Sequence, residues 1–463
     1  MKCAFMSKCK MKKKYKDKFD KMSNAPLKWL ITTLAVPTIL TMLVSALYNM
    51  ADSYFVGKID TSSVASIGIV FSVMTLLQAI GFFFGNGSGI LISTLLGEKK
   101  KDTAKIYANV SFFIVIIFGI LLAAIGLFFS NQIAVLLGAT KTTKDLAGGY
   151  LKIILLGAPF ILGSFVLNNQ LRYQGSAIYS MVGIVSGSLI NIALDPLFIF
   201  KFNMGVNGAA LATIISQIIG FIILIAGTFK GENLRISVKA FKPDKQNLSE
   251  IFKNGLPSLS RQGIQTIANI CLNFAAAPYG DSAIAGMSVF NRVMFLGFAV
   301  VIGIGQGFQP VCSFNHGAKK YDRVYDGYKF IVVISTIFIT IASIVSYILA
   351  PQLIGLFRDD AEVVSIGSQA LKYECMVLPL IGYCTSSNML IQTLKLPAKA
   401  TALALARQGI FYVPLILILP RILGITGIIL AQPIADGLSF IMTIILTTPV
   451  LKKLKLKSKK RTG

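Results

Sequence analysis

Twelve apolar runs, each about 20 residues or longer, leave this 463-residue chain few folds to choose from. They cover roughly 29–56, 63–95, 105–128, 146–170, 178–200 and 205–229, then 248–277, 281–312, 326–349, 364–393, 398–419 and 424–450. Backbone N–H and C=O groups in hydrocarbon meet no water, so each such segment must satisfy them internally, as an α-helix does. With 54% hydrophobic and 14% charged residues, no water-soluble fold could hide the apolar surface. The expected class is an all-α polytopic membrane protein.

The twelve runs form two sets of six, and the sets repeat. At an offset of 220 residues Pro37 meets Pro257, and Gly85 and Gly87 meet Gly305 and Gly307. Gly97-Glu98-Lys99-Lys100 then meets Gly317-Ala318-Lys319-Lys320, Asp102 meets Asp322, and Pro159 meets Pro379. At 219, Gly205-Val206-Asn207-Gly208 meets Gly424-Ile425-Thr426-Gly427. One offset held this long implies two homologous six-helix lobes related by a pseudo-two-fold axis, which in membrane proteins commonly flank a substrate path. The expected units are a basic N-terminal tail (1–28), a first lobe (29–229), a linker (230–247), a second lobe (248–450) and a basic C-terminal tail (451–463). The linker region, polar as far as Lys253, reads as a passive connector.

The net charge of +26 is distributed as a membrane protein distributes it. With the N-terminus inside, 34 of the 45 Lys and Arg fall in the tails and inner loops, and six in outer loops: Lys58, Lys141, Lys144, Lys201, Arg358 and Arg421. This bias places both termini in the cytoplasm of a plasma-membrane protein. The basic tails suit anionic lipid head groups rather than nucleic acid. The first 28 residues are too polar for a signal peptide, so no cleaved leader is expected. Cys3, Cys9, Cys271, Cys312, Cys375 and Cys384 lack metal spacing and read as free thiols. There is no Gly-Lys-Ser/Thr phosphate loop, and His316 is the single histidine. ATP hydrolysis, a resident cofactor and enzymatic chemistry are therefore not expected.

Polar groups inside spans carry the functional signal, because each is costly to place there. Asp52 lies near the outer end of span 1 and Asp195 near that of span 5. Asn191 shares a helix face with Asp195 by i,i+4 spacing. Thr213 lies about eight residues into span 6, so at ~1.5 Å per residue all four oxygens share the outer half of the membrane. Pro196 cannot donate to the Ile192 carbonyl and leaves another oxygen free. Paired carboxylates with amide, hydroxyl and carbonyl oxygens suit a proton or a hard cation such as sodium. At the repeat offset Asp52 becomes Leu272 and Asp195 becomes Leu415, so the site is expected in the first lobe alone.

The run Asn49-Met50-Ala51-Asp52-Ser53-Tyr54-Phe55-Val56-Gly57, Pro37 before it, the Gly97-Glu98-Lys99-Lys100 loop and Asn191-Ile192-Ala193-Leu194-Asp195-Pro196 carry a family likeness. Over about residues 26–450 the chain resembles the multidrug and toxic compound extrusion (MATE) family, most of all its bacterial MepA-type branch. The resemblance implies a secondary transporter that exports amphipathic, often cationic drugs by proton- or sodium-coupled antiport with alternating access. It implies a coupling site of Asp52, Asn191, Asp195 and Thr213 with Tyr150 nearby, and bending of helix 1 at Pro37. The similar NorM-type branch also has an acid in helix 7, where this chain offers Arg261, Gln262, Asn269 and Asn273 instead.

Candidate substrate contacts are Asn168, Gln306, Gln309, Met294 and Phe295, since Met and aromatic faces suit varied amphipathic ligands. Arg261, Arg292 and Arg407 lie inside second-half spans, with Glu374 and Asp436 available as partners. Gly85, Gly87, Gly305 and Gly307 are expected to permit close helix contact. A flippase or exporter of lipid-linked saccharides is the rival reading, and a channel a more distant one. Drug-like small molecules and membrane lipids are the expected partners, and a monomer the expected state.

Overall fold

The structure is a computed structural model that describes residues 17–462 other than 60, 142 and 359. The segment before residue 17, with Cys3 and Cys9, lies outside the described residues, as does Gly463. After a short helix at Lys18–Asn24 come α1 (Leu27–Gly57), α2 (Thr61–Gly97) and α3 (Lys101–Leu136). α4 has two pieces, Lys144–Leu156 and Ala158–Tyr173. α5 (Ala177–Pro196) runs into a π-helical turn at Leu197–Lys201, and α6 is Gly205–Phe229. The second set is α7 (Lys245–Ala276), α8 (Asp281–Gly317), α9 (Tyr321–Ile348) and α10 (Ala361–Thr393). In α11, Pro397–Leu405 and Val413–Leu423 flank a π-helical stretch at Ala406–Tyr412; α12 (Ile425–Thr462) carries on through the basic tail. The twelve expected helices are present in order.

Prolines explain the irregular places. Pro159 has no N–H for the Leu155 carbonyl, and α4 bends by 51° at that break. Pro196 and Pro414 likewise leave the Ile192 and Ile410 carbonyls without their usual donors, and both sit beside π-helical backbone. Two spans depart from expectation in character. Among the described residues nine helices are long and apolar enough to cross a membrane, and the bent α4 makes a tenth. α7 and α10, at 32 and 33 residues, are long enough but more polar. Arg261, Gln262, Gln265 and Asn269 interrupt α7, and Lys372, Glu374 and Asn388 interrupt α10. Helices with such faces need protein or water beside them rather than lipid.

Each lobe has its own core. The first joins Val70, Leu91, Leu151, Leu167 and Leu224, and the second joins Phe290, Leu371, Ile416 and Ala435. A third cluster forms the seam between lobes, where Leu30, Ile31 and Leu34 of α1 pack with Phe308, Val311 and Phe314 of α8. The seam lies at the end of the bundle where α1 begins and α12 leaves, here called the terminal end.

The seam obeys the sequence repeat. A β-carbon on Gly97 would overlap the Phe314 carbonyl, and one on Gly317 would overlap the Thr94 carbonyl. Both residues of the first pair are shifted by 220 in the second. Gly87 meets Gly255 as Gly307 meets Ala35, and within the lobes Gly85 meets Asn169 as Gly305 meets Met389. An interface whose contacts interchange in this way is two-fold symmetric. The expected role of these glycines, close helix contact, is what the packing shows. Toward the distal end no comparable contact joins α1 to α7 among the described residues. Leu47, Met50 and Tyr54 of α1 and Ile267, Ile270 and Phe274 of α7 are exposed there. The lobes thus meet at the terminal end and part at the distal end, leaving a cleft.

The linker is tied down along the first lobe. Asn233 donates to the Gly227 carbonyl (2.9 Å), the Leu234 N–H donates to Gln174 Oε1 (2.6 Å), and the Ser237 N–H donates to Asn109 Oδ1 (2.7 Å).

A candidate ion site in the first lobe

Small residues bring α5 and α6 together. A β-carbon on Gly187 would lie 3.1 Å from the Ser216 carbonyl, and one on Gly220 would lie 3.0 Å from the Gly183 carbonyl. That approach turns the Asn191/Asp195 face of α5 onto Thr213 of α6. Asn191, Asp195 and Tyr150 are fully buried, and Thr213 is nearly so. The Asn191 amide bridges the two helices. With its nitrogen toward the acid, it donates to Asp195 Oδ2 (3.0 Å), and its oxygen accepts from the Thr213 backbone N–H (3.2 Å). That orientation is assigned from its neighbours; the opposite one leaves only 3.4 Å contacts to Asp195 Oδ1 and Thr213 Oγ1.

Asp52 enters from α1, about five residues before Gly57 and within electrostatic reach of Asp195. Its Oδ1 is buried and meets no hydrogen-bond donor among the described residues. Tyr150, from the first piece of α4, reaches Thr213 and lies 4.0 Å from Met74 Sδ. The five residues expected to converge do converge. Tyr48, which the sequence reading passed over, joins them: it interacts with Asp52, Thr213 and Asp195. Its signal was its place one helical turn before Asp52. Two carboxylates, one of them with an orphaned oxygen, an amide and three hydroxyls form a small set that can take up a proton or one monovalent cation.

The substrate candidates are dispersed. Asn168 donates to Ser180 Oγ (2.6 Å) and to the Ser180 carbonyl (3.3 Å), clamping α4 to α5. Its repeat partner Asn388 donates to the Ala400 carbonyl (3.1 Å) in the same way. Gln306 and Gln309 are buried in the seam, Met294 lies in the second-lobe core, and Phe295 is exposed.

The seam also holds the residue the sequence most misplaced. Arg172 lies between the runs 146–170 and 178–200, where the sequence reads as an inner loop, but it is 1% exposed. It donates to the Gln306 carbonyl (2.8 Å), Gln309 Oε1 (3.1 Å), Asn86 Oδ1 (3.1 Å) and Asn169 Oδ1 (2.6 Å). α4 continues to Tyr173 and carries the guanidinium under the cleft, where neutral oxygens of both lobes solvate it. Asn86 in turn donates to Ser258 Oγ (3.0 Å), as does Gln392 (2.9 Å), so the polar contacts run across the seam. Of the other arginines, Arg407 pairs with Asp436 and Arg261 donates to Asn388 Oδ1 (3.4 Å), while the repeat counterparts of the acids, Leu272 and Leu415, pack into the second-lobe core.

Known proteins share this architecture. The sequence matches the MatE family over residues 37–197 and 257–418, one stretch in each lobe. It is 30% identical over 406 residues to the multidrug export protein MepA of Staphylococcus aureus (strain MSSA476), covering 87% of this chain and 90% of that protein. It is 31% identical over 404 residues to MepA of Staphylococcus haemolyticus (strain JCSC1435), covering 87% and 89%. Among solved structures, an outward-facing multidrug resistance MATE transporter of the MOP superfamily superposes with a TM-score of 0.89 at 26% identity, over 94% of this chain and 98% of that one. A MOP superfamily transporter from Pyrococcus furiosus, described as having a binding pocket of reversed polarity, gives 0.88 at 25% identity with the same coverage. With the family matched in both lobes and the relatives spanning nearly the whole chain, the protein belongs to the MATE family of multidrug export transporters.

Proposed function

We propose that the protein exports amphipathic, often cationic compounds by antiport against protons or sodium ions, coupled at Asp52, Asn191, Asp195 and Thr213. The observation that carries this reading is the pair of acids in one lobe, Asp195 fully buried and Asp52 with a buried Oδ1 that meets no donor among the described residues. A carboxylate so placed is costly unless a cation neutralises it. Occupancy of the site is then linked to the position of α1, the one helix that brings Asp52 to the others. α1 contains Pro37, whose missing N–H lets the helix bend.

In this reading the termini are cytoplasmic, following the Lys and Arg bias, and the distal cleft faces outward. Ion entry from outside moves α1 and lowers drug affinity. Drug binding from inside, after the terminal seam has parted, releases the ion. The two ligands compete through conformation and need not share atoms. The protein acts as a monomer, because one chain supplies both lobes.

The test is ethidium efflux from proteoliposomes with proton and sodium gradients imposed separately. Efflux driven by one gradient establishes antiport and identifies the ion. No efflux under either would sink the drug-antiport reading and turn attention to lipid-linked substrates.

A further inference from the structure

Three helices of the second lobe bring charged side chains together away from the Asp52/Asp195 site. Glu374 comes from α10, Arg407 from the π-helical stretch of α11, and Asp436 from α12. They occupy positions that the repeat fills with Ile154, Gly187 and Gln217 in the first lobe, so the cluster belongs to the second lobe alone. Asp436 is fully engaged. It accepts from Arg407 Nε (2.7 Å) and Nη2 (2.9 Å) and from Gln432 Nε2 (2.9 Å). The guanidinium also lies over the Phe298 ring, 4.2 Å from its centroid.

Glu374 is not engaged. It is 0% exposed, and neither carboxyl oxygen meets a hydrogen-bond donor among the described residues. Arg407 Nη2 stands 3.7 Å from Oε1, beyond hydrogen-bond range and already committed to Asp436. Glu374 and Asp436 stand beside the same guanidinium, that of Arg407. Tyr412 of α11 faces both acids, and Cys384 of α10 faces Asp436 and Arg407. Cys375 adjoins Glu374, and its carbonyl accepts from Ser343 of α9. From α8 the neighbour is the Phe298 ring, and Cys271 of α7 faces Tyr412.

The charge count decides what this arrangement holds. Ionised, Glu374 is the second carboxylate beside one guanidinium, a buried charge with no hydrogen-bond donor among the described residues. Protonated, it makes the cluster neutral and gains a hydrogen-bond donor of its own. Two carboxyl groups sharing a site do not both ionise readily, and they titrate as a pair. A metal ion would need several oxygens and would face Arg407, whereas a proton needs one oxygen. The Arg407 side chain is 25% exposed, so the cluster is open along the guanidinium and closed around the two acids.

We propose that Glu374, with Asp436 opposite it and Arg407 as its border, is a second proton-carrying site of this transporter. It sits in the lobe whose counterparts of Asp52 and Asp195 are leucines. It does not depend on the coupling role of that first site.

Glutamate labelling isolates it. The chain has five glutamates, and Glu98, Glu232, Glu250 and Glu362 lie at helix ends or in the linker, none of them buried. Purified full-length protein with carbon-13 in its glutamate side-chain carboxyls should show, at neutral pH, an infrared band of a protonated carboxyl that shifts with the label. The band should persist in the Asp52→Asn/Asp195→Asn protein, vanish in Glu374→Gln, and be indifferent to added sodium at fixed pH. No labelled acid band in the folded wild-type protein would overturn the proposal without any variant. Its survival in Glu374→Gln, or its loss on adding sodium, would overturn it too. In proteoliposomes Glu374→Gln should move fewer protons per ethidium exported. An unchanged ratio would make Glu374 a buried acid without a carrier role.

Discussion

The two lobes share one frame and differ in where they spend polar groups. Gly97 and Gly317, Gly87 and Gly307, and Asn168 and Asn388 make matching contacts on the two sides of the pseudo-two-fold axis. Asp52 and Asp195, by contrast, face Tyr48, Asn191 and Thr213, while Leu272 and Leu415 at the same places fill the second core. Residues that hold the frame are duplicated, and the paired acids of the first lobe are not. In the proposed reading, symmetric packing lets the two halves rock against each other, and asymmetric chemistry lets one ligand bias that motion.

The comparison breaks most severely if the second core tolerates what the first lobe carries. Leu272→Asp/Leu415→Asp should bury uncompensated carboxylates in a packed core, with a loss of about 3 kcal/mol or more. The readout is the yield of monodisperse protein and its melting temperature. Near-normal yield and melting would mean that the second lobe can also hold an ion site. Arg172→Gln comes next. Its neutral oxygens on both lobes would lose their shared donor, at about 1–3 kcal/mol for each buried group left unpaired. A clear fall in melting temperature is expected, and an unchanged value would remove Arg172 from the seam's support.

The glycine pairs sharpen the symmetry. Gly97→Ala and Gly317→Ala each push a methyl group against a backbone carbonyl of the other lobe, for about 1–3 kcal/mol. The two melting shifts should agree, and a large effect on one side alone would mean the seam is two-fold only in outline. The smallest effect is expected for Asn168→Ala and Asn388→Ala, about 1 kcal/mol each through a lost helix clamp. Ethidium KM should stay unchanged in Asn168→Ala; a raised KM would return Asn168 to the substrate path.

The constant 220-residue offset was enough to anticipate two lobes and their axis, because glycines at close contacts and prolines at bends survive in both copies. Depth along α1, α5 and α6 puts Asp52, Asn191, Asp195 and Thr213 at a common height from the sequence alone, since helices convert sequence distance into height. Rotation about each helix is less legible, which is why Tyr48 went unnoticed beside Asp52. Arg172 was hidden because a cation near a helix end looks like a loop residue until the neighbouring lobe is in place. Glu374, Arg407 and Asp436 were visible as charges within spans, but their pairing depends on three helices about 30 residues apart and on π-helical backbone beside Pro414. No local spacing records that.

The central claim is that the acids of the first lobe couple drug export to an ion. The most direct measurement is gradient-driven ethidium efflux from proteoliposomes of the wild-type and Asp195→Asn proteins, matched for incorporated protein and for ethidium binding. Efflux should respond to the gradient in the wild type and fall to the no-gradient rate in Asp195→Asn, with ethidium still bound. Full gradient-dependent efflux by Asp195→Asn would contradict the assignment.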